Sequence, residues 1–492
     1  MTGRADRFAG AAVFALALLL YAALVPLGLA QWDTGEMQTV PYILGIAHPP
    51  GFPLYVLLGW VWSHALPFGE VATRLTLLSA LCGAGAAYLA YRAARELEAP
   101  PAAALASGAL FALAPLVVQH VTRAGVEPLL ALCAGLAVCA GLRFERTGSP
   151  RALAVAALGA GLTLAVHTLA IWFLPGLALL LARRGIARRD LRAAAGAFLV
   201  GPLLYAYLPL RSAVVGRLGL DPTVALGFAP GAQAFWDYDH PANWAGFVRH
   251  VSGAQFGASE ALGAPFVLAA YPSYLGRWWE ILAQPAGALG GGLALLGLAM
   301  LVARRPRAGL ALALIGFLAI PFSLRYGVLQ DAAKYYLVAV WAGAVGGGAG
   351  ASALVELGRD ALARRGLAYA LGAGLVFAAA QVVAGDPATY GRRHQADGAA
   401  VVRGVVAGTP PGAIVIAAWT YSTPLAYAEY VEHGLGGRQV VNDEAPRELV
   451  AGWLRAGRPV YVLPYAPSDR ILGELKLEAV PGTAPALYRA RP

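Results

Sequence analysis

Trp32-Asp33-Thr34-Gly35-Glu36, running on to His48-Pro49-Pro50-Gly51-Phe52-Pro53-Leu54-Tyr55, is the first polar interruption of the chain and follows an apolar run from Phe8 to Ala30. An apolar run of that length can cross a bilayer. Two carboxylates and a histidine at its exit are costly unless they face water or a partner, so the stretch reads as a functional site. A plainer reading stands beside it. Asp33 and Glu36 have the spacing of a capping box, the aspartate capping a helix and the glutamate reaching back to a backbone amide. On local sequence alone, capping outweighs chemistry. Pro49, Pro50 and Pro53 stop any helix and put His48 at a helix end.

Composition sets the class. The 492 residues are 59% hydrophobic and only 13% charged, which excludes a soluble enzyme and a disordered chain and indicates an α-helical polytopic membrane protein. The net charge of +10 does not point to nucleic acid. Its arginines fall in short clusters between apolar runs, as expected for anchoring at an anionic leaflet of the lipid bilayer. Cys82, Cys133 and Cys139 lie inside apolar runs without metal-ligand or disulfide spacing. Arg4 and Arg7 precede a first span with no small-residue cleavage site, so that span is expected to stay uncleaved.

Outward from the opening stretch, apolar runs predict about eleven transmembrane helices. They fall at 8–30, 74–94, 101–118, 126–142, 152–167, 169–182, 193–210, 285–303, 308–324, 335–355 and 367–384. One continuous run is split at His167. With a cytoplasmic N-terminus, that split leaves the arginine clusters at 92–95, 143–151, 183–192, 304–307 and 359–365 on the inner side, as the positive-inside rule requires. Asp33, Glu36, His48, Arg123, Glu127, His167, Arg211, Arg325, Asp331 and Lys334 then fall on or near the outer face. Polar groups from separate loops converging there read as a reaction chamber.

The expected domains are a membrane domain over 1–385, with a first outer loop at 31–73 and a long outer loop at 211–284, and a small soluble α/β domain over 386–492 on the extracytoplasmic side. The long loop mixes aromatic and acidic residues through Phe235-Trp236-Asp237-Tyr238-Asp239-His240 and Asn243-Trp244, a mixture suited to stacking on sugar rings and accepting hydroxyl protons. An aromatic belt at the headgroup level explains part of it. Asp237, Asp239 and His240 could hold a divalent metal, but no ligand motif supports one, and no other cofactor is indicated. Past Ala384, the segments 413–417, 438–441 and 459–463 read as buried strands separated by helices. The glycines of 290–297 and 343–350 read as close helix contacts.

Asp33-Thr34-Gly35-Glu36, Leu44-Gly45-Ile46-Ala47-His48-Pro49-Pro50-Gly51-Phe52-Pro53-Leu54-Tyr55, and Arg74 with Leu77-Leu78-Ser79-Ala80 closely resemble the transmembrane protein 260 family. So do Tyr207-Leu208-Pro209-Leu210-Arg211-Ser212, Asn243-Trp244, and Trp419 with Pro424-Leu425-Ala426-Tyr427. The resemblance implies a GT-C glycosyltransferase that passes mannose or a similar hexose from a polyprenyl-phosphate-sugar donor to a protein or glycan acceptor, in bacteria at the outer face of the cytoplasmic membrane. It places the acidic catalytic position at Asp33, with Glu36 beside it. A carboxylate there would act as general base on the acceptor hydroxyl, inverting the anomeric carbon, while Arg74, Arg123, Arg211 and Arg325 meet the leaving phosphate. His167 would contact donor or carrier phosphate, or pair with a backbone carbonyl. The alternatives are a flippase for lipid-linked saccharides and a non-catalytic subunit of envelope glycan assembly.

Overall fold

The computed structural model describes residues 4–256, 271–323, 332–356, 360–384, 398–442, 445–465 and 476–491. In chain order the helices are α1 (Arg4–Leu24), α2 (Trp32–Ile43), α3 (Pro53–Ala65), α4 (Val71–Glu96), α5 (Pro101–Ala112), α6 (Pro115–Val121), α7 (Glu127–Thr147), α8 (Pro150–Val166) and α9 (Leu174–Leu181). There follow α10 (Arg188–Leu203), α11 (Tyr207–Leu218), α12 (Trp244–Ser252), α13 (Tyr271–Ala283), α14 (Gly287–Arg304), α15 (Pro306–Ser323), α16 (Leu337–Glu356) and α17 (Ala361–Ala384). The C-terminal part adds α18 (Gly398–Gly408), α19 (Trp419–Tyr430) and α20 (Arg447–Arg455).

The expected apolar segments fall on helical stretches but not one for one: 101–118 is divided between α5 and α6, 193–210 between α10 and α11, and 8–30 runs past the end of α1. Among the described residues six stretches are individually long and apolar enough to cross a membrane, and α5 with α6, bent by 61°, makes a seventh. The apolar helices α8 and α9 are shorter. The break between them falls at His167, whose backbone is extended and ends α8, and a 3-10 turn over Thr168–Phe173 leads into α9. The glycine-rich pair packs as its sequence implies. A Cβ on Gly297 of α14 would stand 1.8 Å from the Gly346 carbonyl of α16, so only glycine permits that approach.

Two short helices fill the stretch between α1 and α4. α2 ends at Leu44 in the left-handed region, and Pro53 opens α3, where its missing N–H costs nothing. Ile46 forms an isolated antiparallel bridge with Phe235. A Cβ on the adjacent Gly45 would meet the Phe235 carbonyl at 2.0 Å, so this glycine lets the 235–240 segment lie directly over the end of α2.

The C-terminal part carries a five-stranded sheet of order β2-β1-β3-β5-β4, with β1 (Ile414–Ala417), β2 (Gln439–Asn442), β3 (Val460–Leu463), β4 (Lys476–Ala479) and β5 (Tyr488–Arg491). β1 runs parallel to both β2 and β3, while β5 runs antiparallel to β3 and β4. The three expected strands are the parallel, buried ones. β4 and β5, as Lys-Leu-Glu-Ala and Tyr-Arg-Ala-Arg, have no apolar run and were not expected. The sheet is tied to the helices by hydrogen bonds from the Ala72 amide to the Tyr427 hydroxyl (3.1 Å) and from the Trp453 indole to the Leu226 carbonyl (2.8 Å).

Candidate active site

Asp33 lies in the first turn of α2, where unsatisfied backbone N–H groups favour a negative charge. It does not cap the helix: the N-cap is Gln31, which makes no side-chain cap bond. Its carboxylate instead gathers donors from far along the chain. Lys334 Nζ, in the 3-10 turn Ala332–Tyr336 ahead of α16, donates to Oδ2 at 3.2 Å, and Trp419 Nε1, the first residue of α19, donates to Oδ1 at 2.9 Å. Burial raises its pKa, but the Lys334 ammonium, the His48 ring and the indole N–H outweigh it and hold Asp33 well below the usual carboxylate range. The side chain remains 40% exposed, so the ionised carboxylate is reachable.

Glu36 sits one turn further along α2 with no exposed side-chain surface. The capping-box reading fails for it as well, because both oxygens turn to His48. Oε1 accepts the His48 backbone N–H at 2.7 Å, and Oε2 is in a short contact with His48 Nδ1. Burial lowers the His48 pKa, but the charge and hydrogen bond of Glu36 raise it above the ordinary imidazole value. The ring stands edge-on to Phe52 at 4.9 Å and to Trp419 at 6.3 Å. Glu36 therefore orients and charges His48 rather than assisting Asp33 directly.

Two of the expected phosphate-binding arginines serve helix ends. Arg74 Nη1 donates to the carbonyls of Ser63 and Leu66, the latter at 2.5 Å, closing the C-terminus of α3. Arg211 donates from Nε to the Leu44 carbonyl at 2.5 Å and from Nη2 to that of Ile43 at 3.1 Å, closing α2, with its guanidinium 6.0 Å from the centre of the Trp236 ring. Terminal carbonyls without intrahelical partners attract such donors. Arg123 is half-buried in the turn between α6 and α7, and Glu127 Oε2, at the start of α7, lies 3.9 Å from His120 Nδ1. His167 reaches the site through rings, 5.3 Å from Phe52 and 5.5 Å from Tyr335. Arg325 and Asp331 lie outside the described residues.

The long-loop residues form a brace. Asp237 is buried with its Oδ2 2.6 Å from His240 Nδ1, and Asp239 takes Arg249 Nε at 2.7 Å and lies 3.1 Å from His250 Nδ1. Asn243 is the N-cap of α12, its Oδ1 accepting the Gly246 amide at 2.8 Å. Among the described residues, no group of three or more His, Cys, Asp or Glu side chains is placed to hold a metal ion. Lys334 is expected from the sequence only as one of the outer-face polar groups and Trp419 only as part of the family resemblance, neither with a role at Asp33. A lysine just before an apolar run and a tryptophan just after a strand carry only a weak signal by themselves.

The arrangement defines a class: a polytopic membrane protein of GT-C glycosyltransferase fold, in which an acidic residue just after the first span meets a tryptophan from the C-terminal α/β part. The fold is that of ArnT from Cupriavidus metallidurans bound to undecaprenyl phosphate, with a TM-score of 0.56 at 13% identity over 98% of this chain and 97% of that one. The apo oligosaccharyltransferase of Archaeoglobus fulgidus matches with a TM-score of 0.56 at 14% identity, over 92% of this chain and 69% of that one. Within that class, residues 33–189 match the family model of the protein O-mannosyl-transferase TMEM260 N-terminal domain. The mouse protein O-mannosyl-transferase TMEM260 is 31% identical over 255 residues, which is 50% of this chain and 34% of the relative. The Dictyostelium discoideum protein of the same name is 38% identical over 61 residues, 12% of this chain and 7% of its own. The chain thus aligns with about a third of the mouse relative's length.

Proposed function

We propose that this protein transfers a hexose, mannose or one like it, from a polyprenyl-phosphate carrier to a hydroxyl of a protein acceptor at the outer face of the membrane, with Asp33 as general base. The observation that carries the reading is the Asp33 carboxylate, part exposed and held by two residues from the distant C-terminal part of the chain, Lys334 at 3.2 Å and Trp419 at 2.9 Å. A lone carboxylate with no structural duty in its own helix would not be so held.

The chemistry follows from the charges. The acceptor oxygen attacks the anomeric carbon from the face opposite the phosphate, its proton passes to Asp33, and the carbon–oxygen bond to phosphate breaks with its electron pair leaving on the phosphate. One displacement inverts the anomeric centre. Lys334, and His48 when its ring is protonated, are the cationic groups beside Asp33, and they, rather than Arg74 or Arg211, are suited to the departing phosphate. The ArnT structure carrying undecaprenyl phosphate supports a lipid-phosphate donor, and the relatives' name supports a protein acceptor. The clusters of arginine read earlier support the outer placement.

Asp33→Asn tests the assignment in vesicles carrying the full chain, a mannosyl-phosphoryl polyprenol and a Ser/Thr peptide. Loss of a general base predicts a fall in kcat of about 10²- to 10⁴-fold with donor binding retained. Near-normal turnover would remove Asp33 from the mechanism.

A further inference from the structure

Phe235 belongs to the aromatic and acidic stretch that the sequence offers for stacking on sugar rings, but it is buried, with 4% of its surface exposed. Its ring packs on protein instead. It lies parallel to the Trp419 indole within 7° at a centroid distance of 5.7 Å, and the Tyr430 ring, at the other end of α19, stands 6.1 Å away at 56°.

The backbone of Phe235 is as constrained as its ring. Its φ is +80°, a left-handed conformation uncommon for a bulky residue. Strain of this kind persists only where the surroundings over-determine it, and it gathers at functional sites. Here the carbonyl oxygen accepts the Ile46 N–H at 3.1 Å, over Gly45, whose missing Cβ leaves room for it at the end of α2. Asp239 and His240 continue the irregular path at φ +63° and +49°, and Arg249 and Asp237 pin them. Phe235 is thus fixed by its main chain beside the helix that carries Asp33 and by its ring on the helix that carries Trp419.

The indole depends on such a contact. The sheet holds the main chain next to Trp419, since the Ala418 N–H donates to the Leu463 carbonyl at 3.0 Å. The indole itself turns about two side-chain bonds beyond that anchor. The direction of its N–H follows the plane of the ring, and a hydrogen bond weakens steeply as its angle closes. Phe235 lies parallel to that plane, while His48 meets it edge-on at 6.3 Å.

We propose that Phe235 is a positioning residue: its ring sets the plane of the Trp419 indole, and through the indole N–H, 2.9 Å from Oδ1, it holds the Asp33 carboxylate in the orientation that receives the acceptor proton. The proposal rests on the reading of Asp33 as the base.

The test uses the full chain in vesicles with mannosyl-phosphoryl polyprenol and a Ser/Thr peptide, and reads kcat and both KM values per folded protein. Phe235→Leu removes the flat ring and keeps the position apolar, and it is expected to lower kcat about three- to tenfold with both KM values within about twofold. Phe235→Met, which also lacks the ring, takes its place if Phe235→Leu does not fold. Phe235→Tyr keeps the ring and is expected to bring kcat back to within about twofold of wild type. In the Trp419→Phe background no N–H remains to be aimed, so Phe235→Leu is expected to cost less than about twofold further. Phe228→Leu is the control for a loosened junction. Its ring meets Trp453 at 5.9 Å where loop and sheet join, and that indole donates to Leu226 rather than to Asp33, so its kcat is expected to stay within about twofold. Full kcat in the folded Phe235→Leu or Phe235→Met protein, the same loss with and without the Trp419 N–H, or an equal loss in Phe228→Leu overturns the positioning role. Near-normal turnover in Asp33→Asn removes the base itself and the inference with it. An inactive Asp33→Asn beside a fully active Phe235→Leu overturns this inference alone.

Discussion

Trp419→Phe tests whether the C-terminal α/β part acts on the proposed base. The substitution removes one hydrogen bond, the indole N–H to Asp33 Oδ1 at 2.9 Å, and keeps an aromatic ring to stack on Phe235, which lies parallel within 7° at a centroid distance of 5.7 Å. A hydrogen bond to a charged group contributes about 1.5–3 kcal/mol. Because Asp33 is 40% exposed, screening by water brings this down to about 1–1.5 kcal/mol. Spent on the orientation of the base, that is about tenfold in kcat, with the donor KM within twofold because the phosphate-facing cations are untouched. The assay is steady-state transfer in reconstituted vesicles, run as a double-mutant cycle with Asp33→Asn. In the Asp33→Asn background Trp419→Phe is expected to change little, since there is no longer a base to orient. Full kcat in Trp419→Phe, or the same tenfold loss with and without Asp33, refutes the claim that the indole acts through this carboxylate.

The other predictions concern how the site is held. The His48 pKa is raised in the folded protein, so the Glu36–His48 pair adds stability that is fully present below the unfolded value of about 6.5 and is lost as pH rises through the higher folded value. Thermal unfolding in detergent is expected to show this decline in the wild type and a flatter profile in His48→Gln. Glu36→Gln takes the counter-charge from the part-buried His48, whose ring then gives up its proton, and a drop of about 1–3 kcal/mol is expected in the same measurement. Arg74→Met and Arg211→Met each withdraw a guanidinium from two helix-terminal carbonyls, so each is expected to lower stability by about 1–3 kcal/mol with the donor KM unchanged. A tenfold rise in donor KM in a stably folded Arg74→Met or Arg211→Met protein would return these arginines to the phosphate.

Much of the architecture was legible because membrane helices and buried strands advertise themselves locally. The split at His167 appears as the end of α8, and the glycines at 297 and 346 meet as small residues should. The segments 413–417, 438–441 and 459–463 were readable as strands because they are short apolar runs packed by helices, whereas β4 and β5, the antiparallel pair at one side of the sheet, interleave charged residues and offer no such pattern. The contacts of Arg74 and Arg211 were not legible for a different reason. A guanidinium looks the same in sequence whether it meets a phosphate or the carbonyl end of a helix, and the choice depends on which helix stops beside it.

The sequence by itself determined that the chain lives in a bilayer, that Asp33, Glu36 and His48 follow the first span, and that a small α/β unit closes the chain, because hydrophobic length, proline stops and strand periodicity are properties of neighbours along the backbone. Only the tertiary structure decided what those residues do. It turned Glu36 to His48 instead of to its own helix, brought Lys334 and Trp419 to Asp33 across 301 and 386 positions of sequence, and set Phe235 against Trp419. Contacts of that separation depend on how helices and sheet pack as bodies, and no local pattern in a single chain encodes the partner.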